Sequence, residues 1–355
     1  MTFRSIVDSA QEHMTPNSID GWLLYDYQKI NPIFWETVGQ VPNVTRPCWL
    51  WIPSMGSPIL LVSYVDQGRF SHLDIPIKCF VSRAEMTEHL SNILNKQRRI
   101  LMEYSPSALL PRVSRVDAGT IELIKSFGVE VLASSDIIQY ATQRWSDDQL
   151  QSHISAAGKL SSIVEDAFDY IGSNLSHNPR ECEVADFVRN RASESGLVMS
   201  EGPVVAVNQH SSDPHFAPTE GNSNEINIGD WVLIDLWARL SGNDTMFADI
   251  TWTGFVGSPV PQTRQKIFDI VIGARDAALI SLEQAFKSNR TIQGWEVDRV
   301  ARDYISQSGY GDYFSHRLGH SLGREAHGNA VNLDSWETKD TRPLIPGVAV
   351  TIEPG

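Results

Sequence analysis

Seven side chains in the C-terminal part of the chain are of the types that bind divalent cations and move protons: Asp235, Asp249, His320 and Glu353, with His215, His316 and His327. Carboxylates and neutral imidazole together hold ions such as Mn, Co, Zn or Fe, and imidazole also exchanges protons near pH 7. Glu353 ends the apolar run Val348-Ala349-Val350 in T-I-E-P-G. A carboxylate in that position requires a partner to offset its desolvation. The histidines lie in H-R-L-G-H-S-L-G-R-E-A-H-G, residues 316–328, at spacings of four and seven. Glycines at 319, 323 and 328 break any long helix, and no glutamate follows His316, so a helical H-E-x-x-H zinc site does not fit. His215 follows Asp213-Pro214 in an irregular loop, V-N-Q-H-S-S-D-P-H-F-A-P at 207–218, where a lone histidine is commonly only solvated.

The acids require elements to bring them together. Residues 229–254 read as a hairpin, two apolar strands around the turn-forming S-G-N-D. A loop centred on Gly242 would set Asp235 directly opposite Asp249. Like charges so placed repel, and a divalent cation between them removes the conflict. A shared proton, or one acid turned to solvent, also removes it, and these two residues alone leave the choice open. Asp244 is read as a turn former.

Around the hairpin, helices are expected from Ser146 to about Ile171, from Asn178-Pro179 to Gly196, at Thr263–Phe286 and at Trp295–Gln307. Ahead of them, after an acidic, polar opening helix, strands at 21–27, 49–53, 58–63, 100–104 and 129–133 alternate with helices at Ala84–Leu94 and Ala118–Phe127. That alternation implies an α/β layer. The expected organisation is an N-terminal α/β domain, 1–145, and a second domain, 146–355.

Bulk properties narrow the partners. A chain of 355 residues exceeds one ordinary core, and a net charge of −14 without a basic stripe argues against nucleic acid. No apolar run reaches the roughly 18 residues of a membrane span. The opening M-T-F-R-S-I-V-D-S-A-Q-E-H carries acids where an export signal has its apolar segment. Three scattered cysteines, Cys48, Cys79 and Cys182, suit a reducing compartment, so the expected location is cytoplasmic. Neither a phosphate-binding G-x-x-x-x-G-K-[ST] loop nor a G-x-S-x-G nucleophile turn occurs.

The ordered motifs I-D-L, A-D-I-T, H-R-L-G-H-S-L-G-x-x-x-H and I-E-P-G resemble those of the pita-bread metallopeptidases: aminopeptidase P, prolidase, methionine aminopeptidase and the related metal-free creatinase. The resemblance implies a creatinase-type α/β N-terminal domain followed by an α+β pita-bread catalytic domain. It implies two divalent metal ions, Mn foremost with Co or Zn as alternatives. Asp235 would bind one, Asp249 would bridge both, and His320 and Glu353 would bind the second. His215 would steady substrate and the tetrahedral intermediate, His327 would meet the substrate carbonyl region, and His316 would line the proline side of the pocket. The implied activity is hydrolysis of Xaa-Pro bonds in short peptides by a hydroxide bridging the metals, in a homodimer with no nucleic-acid or membrane partner.

Three departures accompany this resemblance. L-W-A follows Asp235 where the family usually has glycine, and Trp252 stands where many members have arginine. The family's fifth ligand, a glutamate in an E-D strand after E-P-G, would fall beyond Gly355, so the sequence is expected to be part of a longer protein; a natural variant with an altered metal site is the other reading. Two further alternatives are a non-catalytic peptide-binding homologue and a creatinase-like C–N hydrolase.

Overall fold

The computed structural model describes residues 2–355, and the chain divides into two compact units. In the first, runs of branched and aromatic residues form β1 (Gly21–Asp26), β2 (Cys48–Pro53), β3 (Ile59–Ser63), β4 (Ile77–Phe80), β5 (Arg99–Met102) and β6 (Glu130–Ala133). They make one mixed sheet in the order β4-β3-β2-β1-β5-β6. Helices α1 (Phe3–Met14), α2 (Pro32–Val38) and α5 (Ser135–Thr142) pack on one face, and α3 (Arg83–Leu94) and α4 (Ala118–Lys125) on the other. With both faces covered, β1 is buried along its whole length instead of alternating. The sequence signals missed β4, α2 and α5. Asn31 starts α2 by accepting the Ile33 and Phe34 amides at 3.1 and 3.4 Å, with Pro32 in the first turn.

The first unit also takes in Asn329–Val331 and Thr338–Pro346 from the far end of the sequence. Gln139 holds both stretches, accepting the Val331 amide at 3.1 Å and donating to the Pro343 carbonyl at 2.8 Å. Buried Arg342 donates to the Asn329 and Ala330 carbonyls and to Asp340.

The second unit holds all seven candidate residues. Its long α6 (Asp147–Asn174) starts as expected at Ser146, whose hydroxyl accepts the Gln149 amide while Gln149 accepts the Ser146 amide. Helix α7 (Glu181–Glu194) begins later than the sequence suggested. Asn178 is left-handed, at φ +50°, and Arg180 takes the cap position, its amide donating to Glu183 at 2.8 Å. After α7 come β7 (Leu197–Val198), β8 (Val204–Val207), β9 (Trp231–Leu240) and β10 (Ala248–Phe255). β9 pairs with β10 along one side and with β7 and β8 along the other. Val232, Ile234, Leu236 and Ala238 of β9 are buried against α6 and α7. Strand alternation therefore turns Leu233, Asp235 and Trp237 to the opposite face. Helices α8 (Gln262–Lys287) and α9 (Gly294–Gln307) pack on each other, and the short strands β11 (Ser321–Leu322) and β12 (Ala349–Val350) form a pair. Among the described residues no helix is long and apolar enough to cross a membrane.

Candidate functional site

The β9–β10 hairpin forms, but its register differs from the expected one. Asp235 lies opposite Thr251, and Asp249 lies opposite Trp237. The two acids are thus diagonal neighbours and not directly opposed, because the turn is centred one residue later than Gly242. The resulting offset of two residues leaves both on the same face, since side chains repeat every second position. Diagonal placement also relieves part of their repulsion, and Thr251 donates its hydroxyl to Asp235 Oδ1 at 2.8 Å. Trp252 pairs with Ile234 and so belongs to the other face, away from the acids. Trp237 shares the acids' face, and its ring lies over Gly202, where a Cβ would meet it at 2.8 Å.

His320 and Glu353 are placed by the β11–β12 region. Thr351 N donates to the His320 carbonyl at 2.8 Å, and Glu353 N to the Leu318 carbonyl at 2.9 Å. The segments approach so closely at Gly319 that a Cβ there would lie 2.1 Å from the Thr351 carbonyl oxygen. The loop leading into this region is held by a buried ion pair on α9, Asp298 with Arg302 at 2.9 Å. Arg302 donates to the Phe314 and His316 carbonyls at 2.8 and 2.7 Å, while Asp298 accepts the Leu318 amide at 2.8 Å and the Ser335 hydroxyl. Nothing in the sequence marked Asp298 and Arg302, since an i,i+4 pair is usually a solvated one.

His320 Nε2 lies 3.2 Å from Glu353 Oε1 and 3.5 Å from Asp249 Oδ2. The His320 and Asp249 side chains are over nine-tenths buried, whereas Glu353 is one-third exposed. Burial pushes the Asp235 carboxyl up to about 7, helped by the charges of Asp249 and Glu353 and opposed by Thr251 and His320. Asp249 is also raised, first by burial. Burial alone would lower His320, but its hydrogen bonds to Asp249 and Glu353 and their charges outweigh it and hold the imidazolium to about 9. Burial would raise Glu353, and the same contact with His320 brings it below the usual carboxylate range. Among the described residues, no group of three or more His, Cys, Asp or Glu side chains surrounds a single point as a cation requires. The four form a convergence of charge in which His320 acts as the counter-ion.

Two of the remaining histidines border this cluster. The His327 ring centroid is 4.2 Å from that of His320. His316 is half-buried beside the edge of Phe314, its Nδ1 2.7 Å from the Arg317 carbonyl, and its charge acts on Glu353. His215 is not brought to the acids by any contact among the described residues. It is exposed, and its backbone N–H donates to Asp213 Oδ1 at 2.9 Å. Its neighbour Phe216 does anchor the loop, packing with Val204, Ala206, Leu233 and Trp237 on the acids' face of the sheet. Buried Glu181 steadies the same loop, accepting the Val207 and Asn224 amides and pairing with His210 at 2.9 Å.

Comparison with known proteins settles the family, because the description of metallopeptidase family M24 matches residues 155–355, more than half of the chain. The chain belongs to metallopeptidase family M24. Its fold is that of the family's pita-bread members, with an α/β unit ahead of the catalytic one. Among solved structures, it is similar to the prolidase of Pyrococcus horikoshii OT3, with 25% identity, a TM-score of 0.63, and coverage of 98% of this chain and 90% of that one. It also resembles dipeptidase PepE of Mycobacterium ulcerans in fold, with 18% identity, a TM-score of 0.71, and coverage of 99% and 88%. An uncharacterized peptidase of Staphylococcus epidermidis is 31% identical over 237 residues, 66% of this chain. The matched region spans 61% of the length of that relative. Members of family M24 generally use a dinuclear site of divalent metal.

Proposed function

We propose that this protein is a metal-dependent exopeptidase that hydrolyses Xaa-Pro bonds in short peptides. One observation carries the reading: a histidine and a carboxylate from the β11–β12 region meet the acid of β10 beside that of β9, on the face of the sheet opposite the helices. The donor set fits a divalent cation in kind, with three carboxylates, one imidazole and no thiolate. His320 Nε2 stands 3.2 Å from Glu353 and 3.5 Å from Asp249, so the donors are gathered in one place although they pair with one another instead of surrounding a point.

Asp235, Asp249, His320 and Glu353 would hold the metal, exchanging their contacts with one another for contacts with it. Bound divalent ions supply water activation and polarise the scissile carbonyl. His327, whose ring lies beside that of His320, would donate a hydrogen bond to the carbonyl oxygen as charge develops there. His316 would border the proline ring, and His215, on its loop, would approach substrate from the β8 side. Buried Val204, Ala206 and Phe216, with Leu233 and Trp237 packed against them, would hold the loop that carries His215 against the sheet.

The test is to add Mn²⁺, Co²⁺ or Zn²⁺ to the purified full-length protein and assay Xaa-Pro dipeptides and longer Xaa-Pro peptides. Cleavage that a chelator abolishes is expected. Peptide affinity without metal uptake would instead identify a binding homologue, and the absence of both metal uptake and cleavage would refute the proposal.

A further inference from the structure

We infer that Thr351 is a positioning residue of this site, its hydroxyl tying the His320 backbone to the Glu353 side chain. The inference rests on the metal reading above for its consequence, and on geometry for its existence. A threonine hydroxyl offers one donor and two lone pairs. Thr351 Oγ1 accepts the His320 amide at 2.9 Å and donates to Glu353 Oε1 at 2.6 Å. A competing acceptor, the His320 carbonyl, is at 3.4 Å, so the proton belongs to the carboxylate. The residue is nine-tenths buried, and its backbone makes the 2.8 Å bond to His320 described above.

Glu353 Oε1 is also the atom that meets His320 Nε2 at 3.2 Å. The hydroxyl therefore fixes the rotamer that aims the carboxylate at the imidazole, while its other bond holds the backbone from which that imidazole projects. Loss of such a supporting hydrogen bond typically weakens metal binding by roughly 10- to 100-fold. Valine keeps the shape of threonine and loses both bonds; serine keeps both bonds.

The experiment compares wild type, T351V and T351S by Mn²⁺ calorimetry and, without metal, by hydrogen exchange at the His320 amide. Expected are Mn²⁺ affinity reduced roughly 10- to 100-fold in T351V, near-wild-type affinity in T351S, and amide exchange clearly accelerated only in T351V. Wild-type affinity and exchange in folded T351V would overturn the inference, as would a folded T351S as weak as T351V. If T351V does not fold, T351S decides: retained affinity and slow exchange support the role, and loss of both overturns it. Absence of Mn²⁺ uptake by wild type itself, with D249N as the loss control, refutes the metal reading separately, and exchange at His320 then tests the Thr351 bond alone.

Discussion

Replacing Gly319 by alanine should separate the two segments that carry His320 and Glu353. The added Cβ would lie 2.1 Å from the Thr351 carbonyl oxygen and 2.8 Å from its carbon, where ordinary contact begins at 3.4 Å. Both neighbours are backbone, so no side chain can rotate away, and the segments must part by about 1.3 Å to restore contact. The bonds Thr351 N to His320 O, Glu353 N to Leu318 O and His320 N to Thr351 Oγ1 are now 2.8, 2.9 and 2.9 Å. The same displacement carries all three beyond hydrogen-bonding range. At about 1 kcal/mol net for each bond, the loss is about 3 kcal/mol, in line with the upper end of overpacking costs. Urea unfolding should show that loss as a lower midpoint, and Mn²⁺ calorimetry should show weakened binding. The matched control is Gly158, an exposed position within α6 with nothing inside 4 Å of its Cβ. There alanine should stabilise by about 0.5–1 kcal/mol. G319A unfolding within about 0.5 kcal/mol of wild type, with unchanged Mn²⁺ affinity, would refute the close-approach argument.

Truncating Arg302 to methionine leaves the Asp298 carboxylate buried without its cation and frees the Phe314 and His316 carbonyls, so R302M should lose about 3–5 kcal/mol of stability by denaturant titration; a loss below about 1 kcal/mol contradicts the role given to that pair. In the first unit, burial raises the Glu103 carboxyl to about 7 against the hydrogen bonds donated by Trp22 at 2.6 Å and Asn31 at 3.0 Å. The folded state thus binds its proton more tightly than the unfolded chain, so this contribution is complete below the ordinary value of 4.5 and declines as pH rises through about 7. At about 1.4 kcal/mol per unit, wild type should lose about 3 kcal/mol relative to E103Q between pH 4 and 8; parallel stability-versus-pH curves for the two would dismiss the raised carboxyl.

Much of the site was legible because its residues belong to strong local patterns. Two apolar strands around S-G-N-D placed Asp235 and Asp249 on one hairpin, and glycines within the histidine run excluded a helix. The exact pairing was not legible, since residues 241–247 can centre the turn on more than one position and only tertiary packing chooses. The offset it chose was even, so the shared face of the acids survived the error. Helix α5 escaped notice because its Ile137-Ile138 suits a strand equally well; Gln139, Thr142 and Gln143 are buried instead through bonds to distant or neighbouring residues. The return of Asn329–Val331 to the first unit left no local trace, because Arg342 and Gln139 read as ordinary polar residues until their carbonyl and amide partners are seen. Thr351 was equally silent: its role depends on two hydrogen bonds, one to a residue 31 positions away.

The most direct measurement is an anomalous difference map at the manganese edge from crystals grown with Mn²⁺. A peak coordinated by Asp235, Asp249, His320 and Glu353, with His320 drawn from its contacts with the acids onto the ion, is the predicted result. A map with no peak there, in which His320 still pairs with Asp249 and Glu353, would contradict the account.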